Sequence, residues 1–254
     1  MNSYLKNVDR IEFVITYSCS GRCKHCSVGD HTNRPEHIDA LAASEAVRAI
    51  ARMYDIRSIM TFGGEPLLYP DAVCAVHLAA KEMNIEKRQV ITNGYFSKDR
   101  ARIAAVAKML EQSGVNDVLL SVDSFHAECI PIEYVKMFAL EMKKTSVRLR
   151  TQPAWLVSCE DDNPYNRITK DLLRDFSDMG IEQNYGNVVF AEGNAMKYLS
   201  EYFDPAKEIV NPYVEDPRDL HTICFEPDGC VLDGNIYRQD ICDIIYAYHP
   251  DAKV

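Results

Sequence analysis

The strongest constraint on the fold of this sequence is a regular alternation of short β-type segments with longer helical segments. The candidate strands are short and rich in β-branched or aromatic residues. They read IEFVIT (11–16), RSIMTF (57–62), RQVITN (88–93), DVLLSV (117–122), SVRLRT (146–151) and NVVFA (187–191). Between them, apolar residues recur three and four positions apart, which predicts helices near 40–53, 71–83, 98–112, 132–143 and 169–179. Repetition of this kind requires parallel strands with right-handed crossovers.

The number of strands narrows the choice of architecture. Because the candidate strands are two short of a closed (β/α)₈ barrel, we predict an α/β fold with a partial, TIM-like (β/α)₆ barrel of parallel strands; an open sheet is the alternative. We expect the barrel in residues 1–195. Residues 196–254 are expected to form a short C-terminal extension with a β-hairpin near 222–233, turning at Asp228-Gly229. Chemistry in such folds gathers at the carboxyl ends of the strands.

Composition and charge exclude several classes of protein. The 28 basic and 38 acidic residues give a formal net charge of -10, which disfavours nucleic acid and anionic membranes as partners. The sequence has no apolar run long enough to span a membrane, and its first residues lack the apolar core of a signal peptide, so we expect a cytoplasmic protein. In a reducing compartment, the 9 cysteines are more useful as metal ligands or catalysts than as disulfides.

The first candidate strand runs into a cysteine-rich loop, TYSCSGRCKHCSVGD, in which Cys19, Cys23 and Cys26 form a C-x3-C-x2-C pattern. Three thiolates this close can hold three irons of a cubane cluster and leave the fourth iron open to a small molecule. Two alternatives are a buried helical stripe, which the Ser and Gly residues of the loop disfavour, and a zinc site completed by His25 or His31.

The cysteine pattern resembles the signature of the radical S-adenosylmethionine (radical SAM) enzymes, in which the position of His25, before the last cysteine, is commonly aromatic. The resemblance implies a [4Fe-4S] cluster on the three cysteines and S-adenosylmethionine (SAM) on the fourth iron. It also implies that one electron from the cluster cleaves SAM to a 5′-deoxyadenosyl radical, which abstracts hydrogen from a peptide or small-molecule substrate. The implied electron donor is a flavodoxin- or ferredoxin-type protein.

Further motifs follow the next strands in the order that the family shows. Gly63-Gly64-Glu65-Pro66 resembles the GGEP motif, in which glycines let the backbone approach SAM and a carboxylate can accept hydrogen bonds from its ammonium group. Asn93, in Thr92-Asn93-Gly94, is a predicted cofactor contact or an ordinary turn residue. The other predicted cofactor contacts are pairs of polar residues that share a strand face: Ser121 with Asp123, and Arg150 with Gln152, of which we select Ser121, Asp123 and Gln152.

A further cysteine near the fourth strand suggests a catalytic role. Cys129 could return a hydrogen atom to a substrate radical, as the critical cysteine of radical SAM epimerases does, although a packing role is the alternative. Two other functions stay open. Glycyl-radical-enzyme activases share the motifs but carry a lysine shortly after the strand-four aspartate, where this chain reads Asp123-Ser124-Phe125-His126. A non-catalytic iron–sulfur regulatory or electron-transfer protein would bind a cluster without cleaving SAM.

The C-terminal extension contains Cys224, Cys230 and Cys242 in a C-x5-C-x11-C spacing. This layout resembles the SPASM or twitch extensions of radical SAM proteins, whose cysteines hold an auxiliary cluster. The spacing fits no tight set of four cysteines. We therefore predict a degenerate extension that keeps the hairpin, binds no second cluster and packs its cysteines in a small core.

Overall fold

The computed structural model describes residues 2–29, 35–204 and 211–250. Its strands are β1 (Arg10–Val14), β2 (Ser58–Phe62), β3 (Lys87–Thr92), β4 (Asp117–Ser121), β5 (Arg148–Gln152), β6 (Ala154–Trp155), β7 (Glu182–Gln183), β8 (Asn187–Val188), β9 (Thr222–Phe225), β10 (Cys230–Val231) and β11 (Gly234–Asn235). Its α-helices are α1 (Ala40–Met53), α2 (Pro70–Glu82), α3 (Arg100–Ser113), α4 (Ser124–Ala127), α5 (Ile132–Met142), α6 (Pro164–Asp178), α7 (Gly193–Tyr198) and α8 (Ile241–Ala247).

The main sheet of the described chain has nine strands in the order β11-β10-β9-β1-β2-β3-β4-β5-β7. The strands from β1 to β5 are parallel neighbours, and each pair is joined through a helical segment. The sheet is not closed, as a partial barrel allows. The prediction of an α/β fold with a partial (β/α)₆ barrel is therefore confirmed.

Local chemistry at the helix ends explains where the crossover helices begin and stop. Asp39 caps α1 by accepting a hydrogen bond from Ala42 N at 2.8 Å, and Asp99 caps α3 through Ala101 N at 2.9 Å. Gly114 ends α3 in the left-handed conformation, with φ of 90°. Helices α1, α2, α3 and α5 lie side by side in that order along the sheet.

The two faces of the sheet have different roles, because side chains alternate along each strand. One face is apolar and packs under the helices; its fully buried residues include Ile11, Phe13, Ile59, Val90 and Leu120. On the other face, the residues at the carboxyl ends of the strands, including Phe62, Ser121 and Gln152, line a cavity. The helices therefore cover one face and leave the inner face for the site.

The sixth strand is the main correction to the predicted elements. We expected it at 187–191, but the neighbour of β5 is the earlier β7, and β8 pairs only with β6 in a separate two-stranded ladder. The break falls at Pro153, which has no N–H to donate to the ladder. Its carbonyl accepts from Asn187 N at 2.9 Å, and Gly186 turns there with φ of 78°.

The C-terminal hairpin is present and takes part in the main sheet. Strands β9 and β10 are antiparallel, with Val231 opposite Phe225, which confirms the predicted hairpin. Strand β9 also runs parallel to β1, and the rings of Phe13 and Phe225 stack with centroids 4.5 Å apart. The sequence did not predict this pairing. The domain boundary at residue 195 stays a prediction.

None of the helices in the described part of the chain is long and apolar enough to cross a lipid bilayer.

Candidate active site

A cavity of about 520 Å³ opens at the carboxyl ends of the central strands. It brings together most of the residues that the sequence singles out. Those that line it are Cys19, Cys23, His25, Cys26, Gly63, Gly64, Asn93, Ser121, Asp123 and Gln152. Three others, Glu65, Pro66 and Cys129, lie outside its lining, and each is described below.

The cysteine loop leaves β1 and places its three thiols on this cavity. Residues 18–29 form turns and bends without a helix, so the helical-stripe interpretation is wrong. Asn93 Nδ2 lies 3.5 Å from Cys19 Sγ and donates to it, which ties the loop to the end of β3. Burial raises the pKa of the Cys19 thiol to about 12. Such a thiol becomes a thiolate when a metal replaces its proton.

His25 contributes a polar atom that the protein does not satisfy. Its Nδ1 is buried and has no hydrogen-bond partner in the described protein. Burial lowers the pKa of His25 to about 4, so the ring is neutral at pH 7. The ring packs against Phe125 and His126, with centroids 4.9 Å away in each case. A buried, unsatisfied nitrogen at a cavity wall indicates a polar ligand.

The zinc alternative has one supporting feature. Cys23, His25 and His126 each offer a ligand atom, and these atoms lie within 4.8 Å of one another. His31 lies outside the described residues. A zinc ion bound by these three residues would leave Cys19 and Cys26, which line the same cavity, without a metal to bind. A cubane cluster uses all three cysteines.

The two glycines of the GGEP segment hold the loops after β1 and β2 together. Gly64 N donates to Thr16 O at 2.7 Å. A Cβ at Gly63 would lie 2.5 Å from Thr16 O, and one at Gly64 would lie 2.1 Å from Ser18 O. Gly63 also has φ of 136°, a conformation that favours glycine. Only glycine therefore allows this close approach at the edge of the cavity.

Glu65 is buried beneath the cavity and serves first as a structural acceptor. It accepts hydrogen bonds from Leu67 N at 2.9 Å, Thr92 Oγ1 at 2.6 Å and Asn93 N at 2.8 Å. Burial raises the pKa of Glu65 to about 7 despite these donors. Pro66, also buried, starts a short 3₁₀ helix. Contacts of Glu65 and Pro66 with SAM stay predictions.

Asp123 and His126 form a hydrogen-bonded pair just after β4. Asp123 caps α4 by accepting from His126 N at 3.0 Å, and its carboxylate also accepts from His126 Nδ1 at 2.9 Å. Burial alone would raise the pKa of Asp123, but the neighbouring His126 lowers it to about 2. Burial alone would lower the pKa of His126. The neighbouring Asp123 carboxylate outweighs burial, so the pKa of His126 is raised. The sequence analysis did not identify His126 as a site residue.

The polar residues on β5 have different surroundings. Gln152 lies opposite Ser121 on β4, and both line the cavity. Arg150, two residues earlier, is not in the lining; its Nη2 lies 2.5 Å from Asp117 Oδ2 in a largely buried ion pair. Asn184 links the two residues, because it accepts from Arg150 and donates to Gln152. Arg150 therefore supports the floor beneath the cavity, and Gln152 lies at its edge.

The C-terminal hairpin adds two residues that the sequence did not place at this site. Glu226 and Cys224 line the cavity beside Tyr17, and the Tyr17 hydroxyl donates a hydrogen bond to Glu226. Burial and the Glu226 carboxylate raise the pKa of Tyr17. No local sequence signal could place these residues together, because the pairing of β9 with β1 creates the contact.

Cys129 packs behind the cysteine loop. Its Sγ lies 3.4 Å from Cys23 Sγ and accepts a hydrogen bond from Arg22 N at 3.3 Å. It is not in the cavity lining, and its role as a hydrogen-atom donor stays a prediction.

The three C-terminal cysteines do not share one small core, contrary to our expectation. Cys224 faces the cavity, and burial raises its pKa to about 12. Cys230 is exposed, and Cys242 packs on the main hydrophobic core. The reason is that β9 joins the main sheet and α8 packs against α1, so the extension has no separate core of its own.

Comparison with known proteins assigns the family. The family model described as "Radical SAM superfamily" matches residues 13–150, which is more than half of the chain. The chain therefore belongs to the radical SAM superfamily. It is an enzyme, and its cofactors are a [4Fe-4S] cluster and SAM. Membership of this enzyme family favours a catalytic function over the non-catalytic iron–sulfur alternative.

Individual relatives agree with this assignment. The chain is 30% identical over 123 residues to the GTP 3′,8-cyclase of Chlorobaculum tepidum, covering 48% of this chain and 35% of that protein. It is 24% identical over 184 residues to the GTP 3′,8-cyclase of Desulforamulus reducens, covering 68% and 55%. The chain thus spans between about a third and about half of these relatives.

A solved structure supports the fold. Streptococcus suis SuiB bound to S-adenosylmethionine matches with a TM-score of 0.58 and 15% identity, over 95% of this chain and 66% of that one.

Proposed function

We propose that this enzyme binds its cluster and SAM in the cavity at the barrel mouth and abstracts hydrogen from a peptide or small-molecule substrate there. The observation that carries the proposal is that one cavity is lined by the three loop cysteines, the GGEP glycines and the polar ends of β3, β4 and β5. A flavodoxin- or ferredoxin-type protein is the proposed electron donor.

The residues present fit the cofactors. Cys19, Cys23 and Cys26 would hold three irons, and the cluster would supply the electron that cleaves SAM. The loop cysteines share the cavity with His25, whose buried Nδ1 makes no hydrogen bond in the described protein. The half-buried backbone at Gly63-Gly64 lines the cavity and would approach the ligand closely.

The chain's other residues would position SAM and exclude water. Ser121 and Gln152 lie opposite each other and offer hydrogen-bonding groups at one wall. Apolar side chains, including Phe62 and Phe190, line the rest of the cavity. Fixed orientation and exclusion of stray hydrogen donors are what a reactive radical requires of its protein.

The charged side chains that line the cavity indicate which substrates it can bind. The relatives named above act, by their names, on GTP. The described lining carries the carboxylates of Asp123 and Glu226, the second of which accepts a hydrogen bond from Tyr17, and no Lys or Arg side chain occurs in that described set. A triphosphate is normally bound by cationic side chains. We therefore propose a substrate that offers hydrogen-bond donors to Glu226, and we expect GTP not to accelerate SAM cleavage.

The test is anaerobic formation of 5′-deoxyadenosine by reconstituted protein reduced with dithionite. Wild-type protein should form 5′-deoxyadenosine, and the triple variant Cys19→Ala/Cys23→Ala/Cys26→Ala should lose both the product and the brown chromophore. The matched control is Cys159→Ala, because Cys159 is exposed and lies outside the cavity. Product formation by the triple variant would refute the proposed ligands.

A further inference from the structure

We propose that Glu226 selects a substrate that has a positively charged nitrogen with N–H groups, an ammonium or a guanidinium, at the end of an apolar body. Tyr17 is the positioning residue that orients the Glu226 carboxylate. This inference rests on the function proposed above and deepens it, because it names the class of substrate that the same cavity binds.

The C-terminal hairpin supplies Glu226 to the cavity wall. Glu226 directly follows β9, and Cys224, two positions earlier, lines the same cavity. Side chains two positions apart share one face of a strand. Because β9 runs parallel to β1, this face continues the inner face of the sheet. The hairpin therefore adds a carboxylate to a cavity whose other lining residues lie between residues 14 and 190.

The backbone of Glu226 is held by the hairpin turn. Glu226 N donates to Cys230 O at 2.9 Å, and Gly229 N donates to Glu226 O at 2.9 Å. The preceding residue, Phe225, is fully buried, and its ring stacks on that of Phe13 with centroids 4.5 Å apart. A side chain on such a support has a defined position, which a selective site requires.

The Glu226 carboxylate has one oxygen left for a ligand. Oε2 accepts a hydrogen bond from the Tyr17 hydroxyl, whereas Oε1 makes no hydrogen bond to any described residue. None of the ion pairs among the described residues includes Glu226. A carboxylate offers about four acceptor positions, so Glu226 keeps capacity for the N–H groups of a substrate.

The charge of Glu226 is not balanced within the described lining. Asp123, the other carboxylate there, is bonded to the ring of His126, which lines the same cavity. No Lys or Arg side chain occurs in that lining. Arg10 on β1 lies outside it and is paired with Glu12. A cleft with an excess of one charge raises the local concentration of ligands of the opposite charge.

Apolar side chains line much of the same cavity, among them Val14, Phe62, Ile91 and Phe190. Apolar walls favour burial of an apolar body, and a small number of polar groups fixes its orientation. A phosphate or carboxylate on the substrate would meet a like charge at Glu226. The lining therefore favours an organic cation.

Cys224 is a native reporter of the charge near Glu226. Two methanethiosulfonates are compared, a positively charged 2-aminoethyl reagent and a neutral 2-hydroxyethyl reagent. Each forms a mixed disulfide with a thiolate and releases methanesulfinate, so the ratio of the two rates at one thiol cancels the reactivity of that thiol. Peptide mass spectrometry measures the rates on anaerobically reconstituted protein with an oxidised cluster and SAM.

In wild type, we expect the positively charged reagent to label Cys224 about tenfold faster than the neutral reagent. Glu226→Gln keeps an acceptor for Tyr17 but removes the charge, so the ratio of rates should fall to about one. Glu86→Gln is the matched control, because Glu86 is exposed and outside the lining, and it should keep the wild-type ratio. The ratio at the exposed Cys159 should be the same in every variant.

Two small probes test the substrate class. Pentylammonium and 1-pentanol have the same chain and differ in the end group. Pentylammonium should protect Cys224 from the neutral reagent at an about tenfold lower concentration than 1-pentanol, and Glu226→Gln should remove this difference.

Tyr17→Phe tests the positioning role. It should keep the wild-type labelling ratio at Cys224, because the charge remains. It should reduce the preference for pentylammonium to about threefold, because the carboxylate is no longer pre-oriented. A labelling ratio and a probe preference that both change, or both stay, would overturn the positioning role.

The same labelling ratio at Cys224 in wild type and in Glu226→Gln would overturn the proposal, and so would equal protection by the two probes. Failure of both reagents to label Cys224 would overturn it as well, because SAM or the protein would then close this part of the cavity to a substrate. Equal iron content in all variants shows that folding and cluster binding are intact. If wild type assembles no cluster, the proposed function fails, whereas an intact cluster without the charge preference refutes only this inference.

Discussion

The Sγ atoms of Cys23 and Cys129 lie 3.4 Å apart, although 106 positions separate the two residues in the sequence. The contact joins the cysteine loop after β1 to the segment after α4. It places a fourth thiol directly behind a proposed cluster ligand.

This contact predicts a specific oxidation of protein without its cluster. With about one equivalent of hydrogen peroxide per pair of thiols, Cys23 and Cys129 should form a disulfide, and the peroxide should be reduced to two molecules of water. Peptide mass spectrometry should find Cys23 linked to Cys129. Cys129→Ser should remove that product, and reconstituted wild type should be protected. A disulfide among Cys19, Cys23 and Cys26 as the main product would contradict the prediction.

The separate locations of the C-terminal cysteines predict one cluster per chain. Reconstituted wild-type protein should contain about four irons and four sulfides. Cys224→Ala/Cys230→Ala/Cys242→Ala should keep that content, because these residues lie in three different environments. About eight irons in wild type, falling to about four in the triple variant, would establish an auxiliary cluster.

The buried carboxyl of Glu65 predicts a pH dependence of stability. Its pKa is about 7 in the folded protein against an ordinary value of 4.5, so folding favours the protonated form. Glu65 therefore contributes its full stabilisation below about pH 4.5. That contribution is lost as the pH rises to about 7, and the free energy of unfolding falls by at most about 1.4 kcal/mol per pH unit.

Urea unfolding of reconstituted protein between about pH 5 and about pH 8 measures how the free energy of unfolding depends on pH. Glu65→Gln should remove this part of the pH dependence. It should also destabilise the protein by about 1–3 kcal/mol, because an amide cannot accept from all three donors. The exposed Glu86→Gln is the control and should keep the wild-type slope. Identical slopes in wild type and Glu65→Gln would contradict the prediction.

The glycines of the GGEP segment predict a steric cost of an added side chain, in addition to the cost of a positive φ. Gly63 and Gly29 both have positive φ, but an added Cβ would meet Thr16 O at 2.5 Å in the first and nothing nearer than 3.9 Å in the second. Gly63→Ala should therefore cost more stability than Gly29→Ala, by about 1–3 kcal/mol. Chemical denaturation of both variants measures the difference. Equal losses of stability in the two variants would contradict the prediction.

Local sequence patterns predicted the fold class and the edge of the sheet at which the cavity lies. Strands β1 to β5 and their helices follow from periodicity, and the carboxyl ends of parallel strands meet at one edge of a sheet. For that reason Cys19, Gly63, Asn93 and Ser121, which follow or end successive strands, line one cavity. The sixth strand was wrong in position, because β8, in the predicted segment 187–191, pairs with β6 after Pro153, and β7 takes the place beside β5.

The sequence by itself determined the alternation of strands and helices, the cysteine loop and the order of the motifs, because each of these depends on neighbouring residues. Only the tertiary structure decided that β9 lies beside β1 and brings Glu226 to Tyr17. It also decided that the carboxylate of Asp123 accepts hydrogen bonds from His126 and Ala154. Pairing between distant strands and competition for a buried hydrogen-bond acceptor depend on packing across the whole chain, and no local pattern records them.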